Sequence, residues 1–458
     1  MNKINPEMFR EYDIRGMVNH DLNEDSLVIL SKALAEYFIS NQRYNVLIAK
    51  DNRPSSIPYS QLMSSVFCQS GIQVIDLGIV TTPMFYFASK MKKIDAGVMI
   101  TASHNPSEYN GFKILMGPST IYGKEIQHIL DLCMNPTWSA SSTRGVCEES
   151  NIFPMYQQYL KDHVQLGSYP LKIVLDCGNG TASLSSPEIL KSFPIELHEL
   201  YCTSDPDFPN HFPDPVKTSN MKDAANLVVQ KKLDLAIGLD GDGDRLGVVD
   251  EKGRMIWGDL LMVLYARDVL SRHPGETILA EVKCSQVLID EIKRLGGKPF
   301  ITKTGHSLIK AKMRELNAIL AGEMSGHLFF NDEYFGFDDA TYASLRLLRI
   351  LSNSSLSLSD MLADLPQVFS TPEIRIKVLE QEKNAWVEKA RKYLSSKHES
   401  LEIDGVRSLM HGGWGLVRAS NTGPELIVRA EGPSENQLEE IKHELEKALS
   451  PLVISWHN

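Results

Sequence analysis

Strand-like and helix-like segments alternate in three separate stretches of this chain. Each stretch reads as a β-rich run, an amphipathic helix and a second β-rich run: NVLIAK, SQLMSSVFCQSG and IQVIDLG (45–78), LKIVLDCGNG, SSPEILKSF and IELHELY (171–201), and ETILAEV, SQVLIDEIKRLGG and KPFITKTG (276–305). Strict alternation of the two periods indicates βαβ units with buried, largely parallel strands. The repetition is one of architecture, since no short fixed period is present that would indicate a solenoid.

Turn-rich segments divide the chain. The Ser-rich segment 135–150 reads as an exit from the first unit, and SNSSLSLSD (352–360) precedes a segment of another style, with two helices and several strands. We therefore expect three similar α/β mixed-sheet domains and a C-terminal α+β domain. The predicted boundaries are 1–150, 151–252, 253–366 and 367–458.

Composition narrows the class of protein. The 458 residues carry a formal net charge of −11, which argues against general nucleic-acid binding because that requires a dominant basic surface. The six cysteines include no C-x-x-C pair and are expected to be free thiols in a reducing compartment. No signal peptide or membrane span is evident, so we expect a cytoplasmic protein without nucleic-acid or membrane partners.

Ser103 lies in GVMITASHNPSEYNGFKIL (97–115), where an apolar strand is predicted to end at Thr101 and a polar turn follows. A serine that accepts a phosphoryl group needs exposure at such a strand tip and positive charge nearby, and Lys113 could supply part of that charge. A turn-capping serine explains the same residues. Serine-hydrolase chemistry is disfavoured, because the G-x-S-x-G elbow is missing and His104 should point away from Ser103 if the turn is extended.

Three aspartates alternate with glycines in LDLAIGLDGDGDRLGVVD (233–250). In an extended loop Asp240, Asp242 and Asp244 face one side, and hard oxygen ligands at this spacing suit Mg²⁺ or Ca²⁺. An EF-hand is excluded, because Arg245 occupies the position that requires glycine and both flanks read as strands. An Asp-Gly-rich turn without a metal is the alternative.

Two further loops carry polar groups suited to a sugar phosphate. LAGEMSGHLFF (320–330) offers Glu323, Ser325 and His327 for sugar hydroxyls, although an ordinary turn fits equally well. VRASNTGPELIVR (417–429) combines hydroxyl, amide and backbone donors with arginines, a combination that holds phosphate. Its polar residues are Arg418, Ser420, Asn421, Thr422 and Arg429. A β-hairpin turn with two surface arginines is the alternative for this second loop.

Smaller features accompany these loops. FREYDIRG (9–16) places Tyr12 and Arg15 ahead of a glycine turn, and KTGHSLIK (303–310) places His306 at a predicted helix start. Lys283 lies upstream in AEVKCS. A lone histidine at a helix start is more often structural than catalytic.

In this order and at domain-scale spacing, REYDIRG, TASHNP, NGFK, DGDGDR, GEMSGH and RASNTGPEL resemble the α-D-phosphohexomutase superfamily, and within it the bacterial phosphomannomutase/phosphoglucomutase branch. The resemblance covers nearly the whole chain. It implies four domains around a deep cleft, each contributing one loop. It also implies transfer of a phosphoryl group between C1 and C6 of a hexose phosphate, with Mg²⁺ as cofactor and glucose 1,6-bisphosphate as primer.

Residue roles follow from the same resemblance. Ser103 would be the phosphoserine, and it would hold Mg²⁺ together with Asp240, Asp242 and Asp244. Arg15 and Arg245 would steady the phosphoryl group, and Lys113 would be a candidate general base. The remaining catalytic candidates are His104 and His306, and the remaining substrate-binding candidates are Tyr12, Lys283, Glu323, Ser325, His327, Arg418, Ser420, Asn421, Thr422 and Arg429.

The substrate is predicted to be a mannose or glucose phosphate. The sugar loop reads GEMSG, whereas the glucosamine branch usually has Gln in place of Met324, so a phosphoglucosamine mutase ranks lower. The acidic cluster alone would also suit a metal-dependent sugar phosphatase, and a cleft without its chemistry would suit a sugar-phosphate sensor. We expect a monomer or a weak homodimer.

Overall fold

The computed structural model describes residues 4–421 and 423–456. The chain forms two compact units, the first made of Met1–Tyr265 and Ser325–Met361 and the second of Ala266–Met324 and Leu362–Asn458. Within the described residues, none of the helices combines the length and the hydropathy that a bilayer crossing would need. The predicted division into four domains at 150, 252 and 366 stays a prediction.

Helices and strands alternate along most of the chain. The strands are β1 (Ile14–Met17), β2 (Asn45–Lys50), β3 (Gln73–Ile79), β4 (Ala96–Ile100), β5 (Tyr109–Met116), β6 (Ser119–Thr120), β7 (Cys147–Glu149), β8 (Leu171–Asp176), β9 (Ile195–Leu200), β10 (Leu235–Leu239), β11 (Leu246–Asp250), β12 (Met255–Ile256), β13 (Thr277–Glu281), β14 (Lys298–Thr302), β15 (Leu320–Gly322), β16 (Leu328–Phe330), β17 (Phe369–Ser370), β18 (Ile374–Lys377), β19 (Glu399–Leu401), β20 (Val406–Met410), β21 (Gly413–Ala419) and β22 (Glu425–Gly432). The helices are α1 (Glu24–Ser40), α2 (Ser56–Gln69), α3 (Thr82–Lys92), α4 (Lys124–Met134), α5 (Phe153–His163), α6 (Ser186–Lys191), α7 (Lys222–Lys231), α8 (Gly258–Arg272), α9 (Gln286–Arg294), α10 (His306–Leu316), α11 (Ala340–Ser352), α12 (Leu358–Met361), α13 (Lys383–Ser395) and α14 (Glu435–Leu449).

The first unit contains a mixed sheet in the order β1-β5-β4-β2-β3-β7, with β6 paired to β5. Strands β2, β3 and β4 are parallel, as the alternation of periods predicts. Strand β5 runs antiparallel to β4 because only eight residues, 101–108, separate them, and a parallel crossover needs a dozen or more. That short connection carries Ser103.

A second sheet of the first unit has the order β12-β11-β10-β8-β9. Strands β8, β9 and β10 are parallel, and every residue of β10 is buried, which explains its continuous apolar run. Strand β11 returns antiparallel to β10, with Leu239 paired to Leu246. The six residues between them include the three aspartates.

The second unit combines parallel and antiparallel pairing. Strands β14, β13 and β15 are parallel neighbours, whereas the C-terminal sheet, in the order β17-β22-β21-β20-β19 with β18 paired to β22, is antiparallel. Helices α13 and α14 bury Leu394 and Leu445 in one apolar core with strand residues such as Val417 and Val428. This confirms the predicted α+β character of the C-terminal segment and the mixed-sheet class of the whole chain.

Candidate active site

The turn after β4 holds Ser103 in a left-handed backbone conformation, with φ at 51°. Its Oγ donates a hydrogen bond of 2.8 Å to Asp240 Oδ2 and lies 3.1 Å from His104 Nδ1. The expectation that His104 points away is therefore wrong, because it assumed an extended turn. Ser103 is only 5% exposed, because the loop after β10 packs against it.

Lys113 lies between two of the three aspartates. It is on β5, and its Nζ donates hydrogen bonds of 2.7 Å to Asp242 Oδ2 and 2.6 Å to Asp244 Oδ2. Asp240 Oδ1 accepts backbone N–H bonds from Asp244 and Arg245, which fixes the loop between β10 and β11. The structure thus brings together the serine, the lysine and the acidic triplet that the sequence places in separate segments.

Burial and mutual repulsion perturb these charges. Burial and the neighbouring Asp244 and Asp242 raise the pKa of Asp240 well above its ordinary value. Burial also opposes ionisation of Asp242, but the Lys113 ammonium outweighs it and lowers the pKa of Asp242. For Lys113 itself, burial is outweighed by the two carboxylates, so its pKa rises well above the ordinary value. Lys113 is therefore a cation in this arrangement, and its role as a general base stays a prediction.

The acidic triplet fits a divalent cation. One carboxylate oxygen from each of Asp240, Asp242 and Asp244 lies within 4.8 Å of the others, and all three residues are buried. Asp242 Oδ1 and Asp244 Oδ1 have no hydrogen-bond partner among the described residues. Buried carboxylate oxygens without partners are costly, and a hard cation relieves both their desolvation and their mutual repulsion.

Arg15, Arg245 and His327 lie in the same unit. Arg15 donates to Asn105 Oδ1 and Asp13 Oδ2, both at 2.5 Å. Arg245 Nε donates to His327 Nε2 at 3.1 Å, so Nδ1 of His327 carries the proton and faces Asp338 Oδ2 at 3.0 Å. Tyr12 and Ser325 are half-buried in this unit.

His104 is kept neutral by its surroundings. Burial of the ring and the positive charges of Arg245 and Arg15 lower the pKa of His104 well below its ordinary value. Because Ser103 Oγ donates to Asp240, the Nδ1–H of His104 is the donor to Ser103 Oγ. The serine hydroxyl is thus oriented by one acceptor and one donor.

Three residues that support the site were not predicted from the sequence. Arg53 is 1% exposed and donates to four backbone carbonyls of the Ser103 turn, those of Ser103, Asn105, Pro106 and Tyr109. Thr82 Oγ1 donates to Asp242 Oδ2 at 2.6 Å, and Asp338 is the partner of His327. Only weak signals marked them: the Asn-Arg-Pro turn after β2, the Thr-Thr-Pro start of α3, and the Asp-Asp pair before α11.

In the second unit, Lys283 and Glu323 are buried beside charged or polar partners. Lys283 Nζ lies 2.9 Å from Glu373, and the carboxylates around it outweigh burial and raise its pKa. Glu323 Oε1 accepts the backbone N–H of Gly305 at 2.8 Å, directly before α10. Helix α10 begins at His306, whose Nδ1 lies 3.3 Å from Lys310 Nζ.

The proposed phosphate loop connects β21 to β22 in the second unit. Arg418 and Arg429 are each 4% exposed, so the alternative of two surface arginines is wrong. Arg418 Nε donates to Asp404 Oδ2 at 2.9 Å, while its buried Nη2 has no partner among the described residues. Ser420 is buried and Asn421 Nδ2 donates to the carbonyl of Thr304 at 3.3 Å. Thr422 lies outside the described residues.

The site combines a serine hydroxyl oriented by a buried carboxylate with an acidic triplet that fits a cation, a lysine and arginines. This combination is suited to phosphoryl transfer, in which catalysis depends mainly on alignment and charge stabilisation. The groups at this site are those that a phosphotransferase requires.

Family models match along nearly the whole chain. Four models, described as the alpha/beta/alpha domains I, II and III and the C-terminal domain of phosphoglucomutase/phosphomannomutase, match residues 6–137, 154–253, 257–369 and 373–448 in that order. The chain belongs to the phosphoglucomutase/phosphomannomutase family.

Individual relatives agree with this assignment. A phosphomannomutase/phosphoglucomutase of Pseudomonas aeruginosa is 40% identical over 95% of this chain and 94% of its own length, and a phosphoglucomutase of Neisseria gonorrhoeae is 38% identical over 97% and 96%. The crystal structure of a family protein from Burkholderia thailandensis superposes with a TM-score of 0.92 at 35% identity, covering 98% of this chain and 99% of that one. The chain is accordingly a phosphohexomutase, an isomerase that interconverts hexose 1-phosphates and hexose 6-phosphates of mannose, glucose or both. The comparisons do not favour a glucosamine mutase, a phosphatase or a sensor.

Proposed function

We propose that Ser103 carries the transferred phosphoryl group. The observation that supports this assignment is the convergence of Asp240, His104 and Arg53 on one serine and its turn. In the proposed cycle the sugar O6 attacks the phosphoserine, the P–O bond at Ser103 Oγ breaks, and a bond to O6 forms. The proton of the O6 hydroxyl ends on Ser103 Oγ, and a hexose 1,6-bisphosphate results.

The second half-reaction reverses the first at the other end of the sugar. The bisphosphate reorients, and Ser103 Oγ attacks the phosphorus at O1. The P–O1 bond breaks, the proton of the serine hydroxyl ends on O1, and the 6-phosphate is released with the phosphoserine restored. A molecule of glucose 1,6-bisphosphate would prime any enzyme that has lost its phosphoryl group. Membership of the phosphoglucomutase/phosphomannomutase family supports this order of steps. The same phosphoserine then serves the conversion of the 1-phosphate to the 6-phosphate and the reverse conversion.

Asp240, Asp242 and Asp244, with an oxygen of the modified Ser103, are the proposed Mg²⁺ ligands. The close approach of the three buried carboxylates supports this role, as do Asp242 Oδ1 and Asp244 Oδ1, which have no hydrogen-bond partner among the described residues. When bound, Mg²⁺ would neutralise charge on the phosphoryl oxygens. Lys113, Arg15 and Arg245 are proposed to add positive charge next to the transferred group.

The residues of the second unit are proposed to bind the substrate. Lys283, His306 and Glu323 are assigned to the sugar and its hydroxyls. Ser325, His327 and Tyr12, which belong to the first unit, are also proposed to bind substrate. Arg418, Ser420, Asn421, Thr422 and Arg429 are assigned to the phosphate that is not transferred, and the buried donor Arg418 Nη2 supports an anionic ligand there.

The test compares wild type with Ser103→Ala. Glucose 1-phosphate and mannose 1-phosphate are each supplied with Mg²⁺ and a trace of glucose 1,6-bisphosphate, and formation of the 6-phosphate is measured. We expect Ser103→Ala to lose at least about 10³-fold in kcat, because only binding and charge stabilisation are left without the nucleophile. Intact-mass measurement should find one phosphoryl group on wild type and none on the variant.

Ser107→Ala is the matched control, because it removes a hydroxyl from the same turn. It should keep both the activity and the phosphoryl group. Equal activity of Ser103→Ala and wild type would overturn the assignment of Ser103, and the ratio of the two substrate rates would decide between glucose and mannose.

A further inference from the structure

Two thiols outside the proposed catalytic groups lie in contact. Cys177 directly follows β8, Cys202 lies two residues after β9, and these strands are parallel neighbours. Their sulfur atoms are 3.4 Å apart. Cys177 is fully buried, whereas the residue Cys202 is partly exposed.

The backbone around the two thiols is held together by cross-bonds. Asn179 N donates to the carbonyl of Tyr201 and Asn179 Nδ2 to that of Thr203, both at 2.8 Å, and Asp205 N donates to the carbonyl of Asn179 at 2.9 Å. Asn179 and Tyr201 are both left-handed, with φ at 60° and 50°. Asparagine adopts this conformation with little strain, whereas a tyrosine does so only where its surroundings enforce it, so the turn that leads to Cys202 is held in one conformation.

We propose that Cys177 and Cys202 form a reversible disulfide when the protein meets a peroxide-class oxidant, and that the disulfide lowers the turnover of the enzyme. Cys202 sulfur attacks one peroxide oxygen, the O–O bond breaks, and a sulfenic acid and one water form. Cys177 sulfur then displaces that hydroxyl as a second water. Two thiols and one hydrogen peroxide give one disulfide and two waters, and a dithiol reductant reverses the change.

The geometry requires a small movement. A disulfide has an S–S distance of about 2.05 Å, so the sulfurs must approach by about 1.4 Å. The Cys202 thiol also lies 3.2 Å from the carbonyl oxygen of Leu200. Thiols are weak donors, so little is lost when this contact breaks.

Backbone contacts connect the segment after Cys177 to the loop that holds the three aspartates. Thr181, four residues after Cys177, donates its N–H to the carbonyl of Gly241 at 2.8 Å. A Cβ on Gly180 would meet Gly241 Cα at 2.9 Å, so the two segments are packed without spare room. A shift of the Cys177 backbone would therefore be passed on to the loop that holds Asp240 and Asp242.

The test has two readouts. Reduced protein is treated with hydrogen peroxide, alkylated, digested without reductant and mapped by mass spectrometry. We expect a cross-linked peptide pair containing Cys177 and Cys202, two hydrogens lighter than the separate peptides. It should be absent from Cys202→Ser and retained in Cys147→Ser, which removes an exposed thiol elsewhere.

Activity is the second readout and rests on the proposed function, whereas the cross-link is detected by mass alone. We expect kcat of the cross-linked protein to fall between about threefold and about 100-fold, since displacements of about 1 Å near a reaction centre have effects of that size. Dithiothreitol should restore it, and Cys202→Ser should keep its activity under the same treatment. Absence of the cross-link, over-oxidised thiols in its place, or a cross-linked protein with unchanged kcat would each overturn the proposal.

Discussion

Arg53 is predicted to hold the Ser103 turn in place, and Arg53→Ala tests this directly. The guanidinium donates four hydrogen bonds of 2.6–3.0 Å to the carbonyls of residues 103–109, and its Nε lies 3.1 Å from the buried Asp51. Its removal takes one donor from each of four carbonyls and from Asp51, although the Pro106 carbonyl keeps the N–H of Tyr109 and Asp51 keeps the Ser56 hydroxyl. At about 1–3 kcal/mol for each unsatisfied buried acceptor, the other three carbonyls alone cost about 3 kcal/mol or more.

A second estimate of the free-energy cost of Arg53→Ala, based on its ion pair with Asp51, has a similar size. Removal of one member of a buried ion pair costs about 3–5 kcal/mol, because the other charge is left uncompensated. A loss of about 4 kcal/mol raises the population of locally opened turn about 10³-fold, at 1.4 kcal/mol for each factor of ten. We therefore expect faster hydrogen exchange in peptides that span 101–116, together with a large fall in kcat.

Arg43→Ala is the control for this measurement. Arg43 pairs with Asp95 on the surface of the same sheet, where the two side chains are 37% and 47% exposed, so its loss should cost less than about 1 kcal/mol. Arg53→Lys should be intermediate, because an ammonium cannot reach four carbonyls in a plane. If Arg53→Ala matches Arg43→Ala in exchange rate and in the free energy of unfolding, the proposed role of Arg53 is wrong.

Two further predictions concern charge near the proposed substrate groups. Asp338→Asn should lower kcat/KM by about tenfold to about 100-fold, because Asp338 orients His327. Additive losses of kcat/KM in a double-mutant cycle with His327→Gln would contradict this coupling. Although burial opposes it, Lys283 and Arg375 together lower the pKa of Glu373 from 4.5 to about 2. These contacts therefore stabilise the fold fully above pH 4.5 and lose their contribution, about 3 kcal/mol, as the pH falls to 2. The free energy of unfolding of Glu373→Gln should lack this pH-dependent contribution in an acid titration. Glu380→Gln, at a side chain 63% exposed, should behave like wild type. Equal acid-unfolding profiles of Glu373→Gln and wild type would refute the prediction.

The local signals in the sequence determined the class of fold and the motifs. Alternating periods predicted the parallel strands, and the run NVLIAK coincides with β2. Strand periodicity on both sides of the aspartates predicted β10 and β11, and the same flanks excluded an EF-hand. These features depend on residues close together in the chain, where side-chain periodicity reports burial directly.

The contacts between distant segments were decided by the tertiary structure alone. Lys113 and Asp242 are 129 residues apart in the chain, yet their ion pair sets the charge of both, and Arg53 reaches a turn about 50 residues away. The left-handed Ser103, and with it the position of His104, depends on what packs around the turn and has no local signature. Side-chain partners and pKa values arise from burial and from charges that folding brings together, so the sequence named the chemical groups while only the fold determined how they meet.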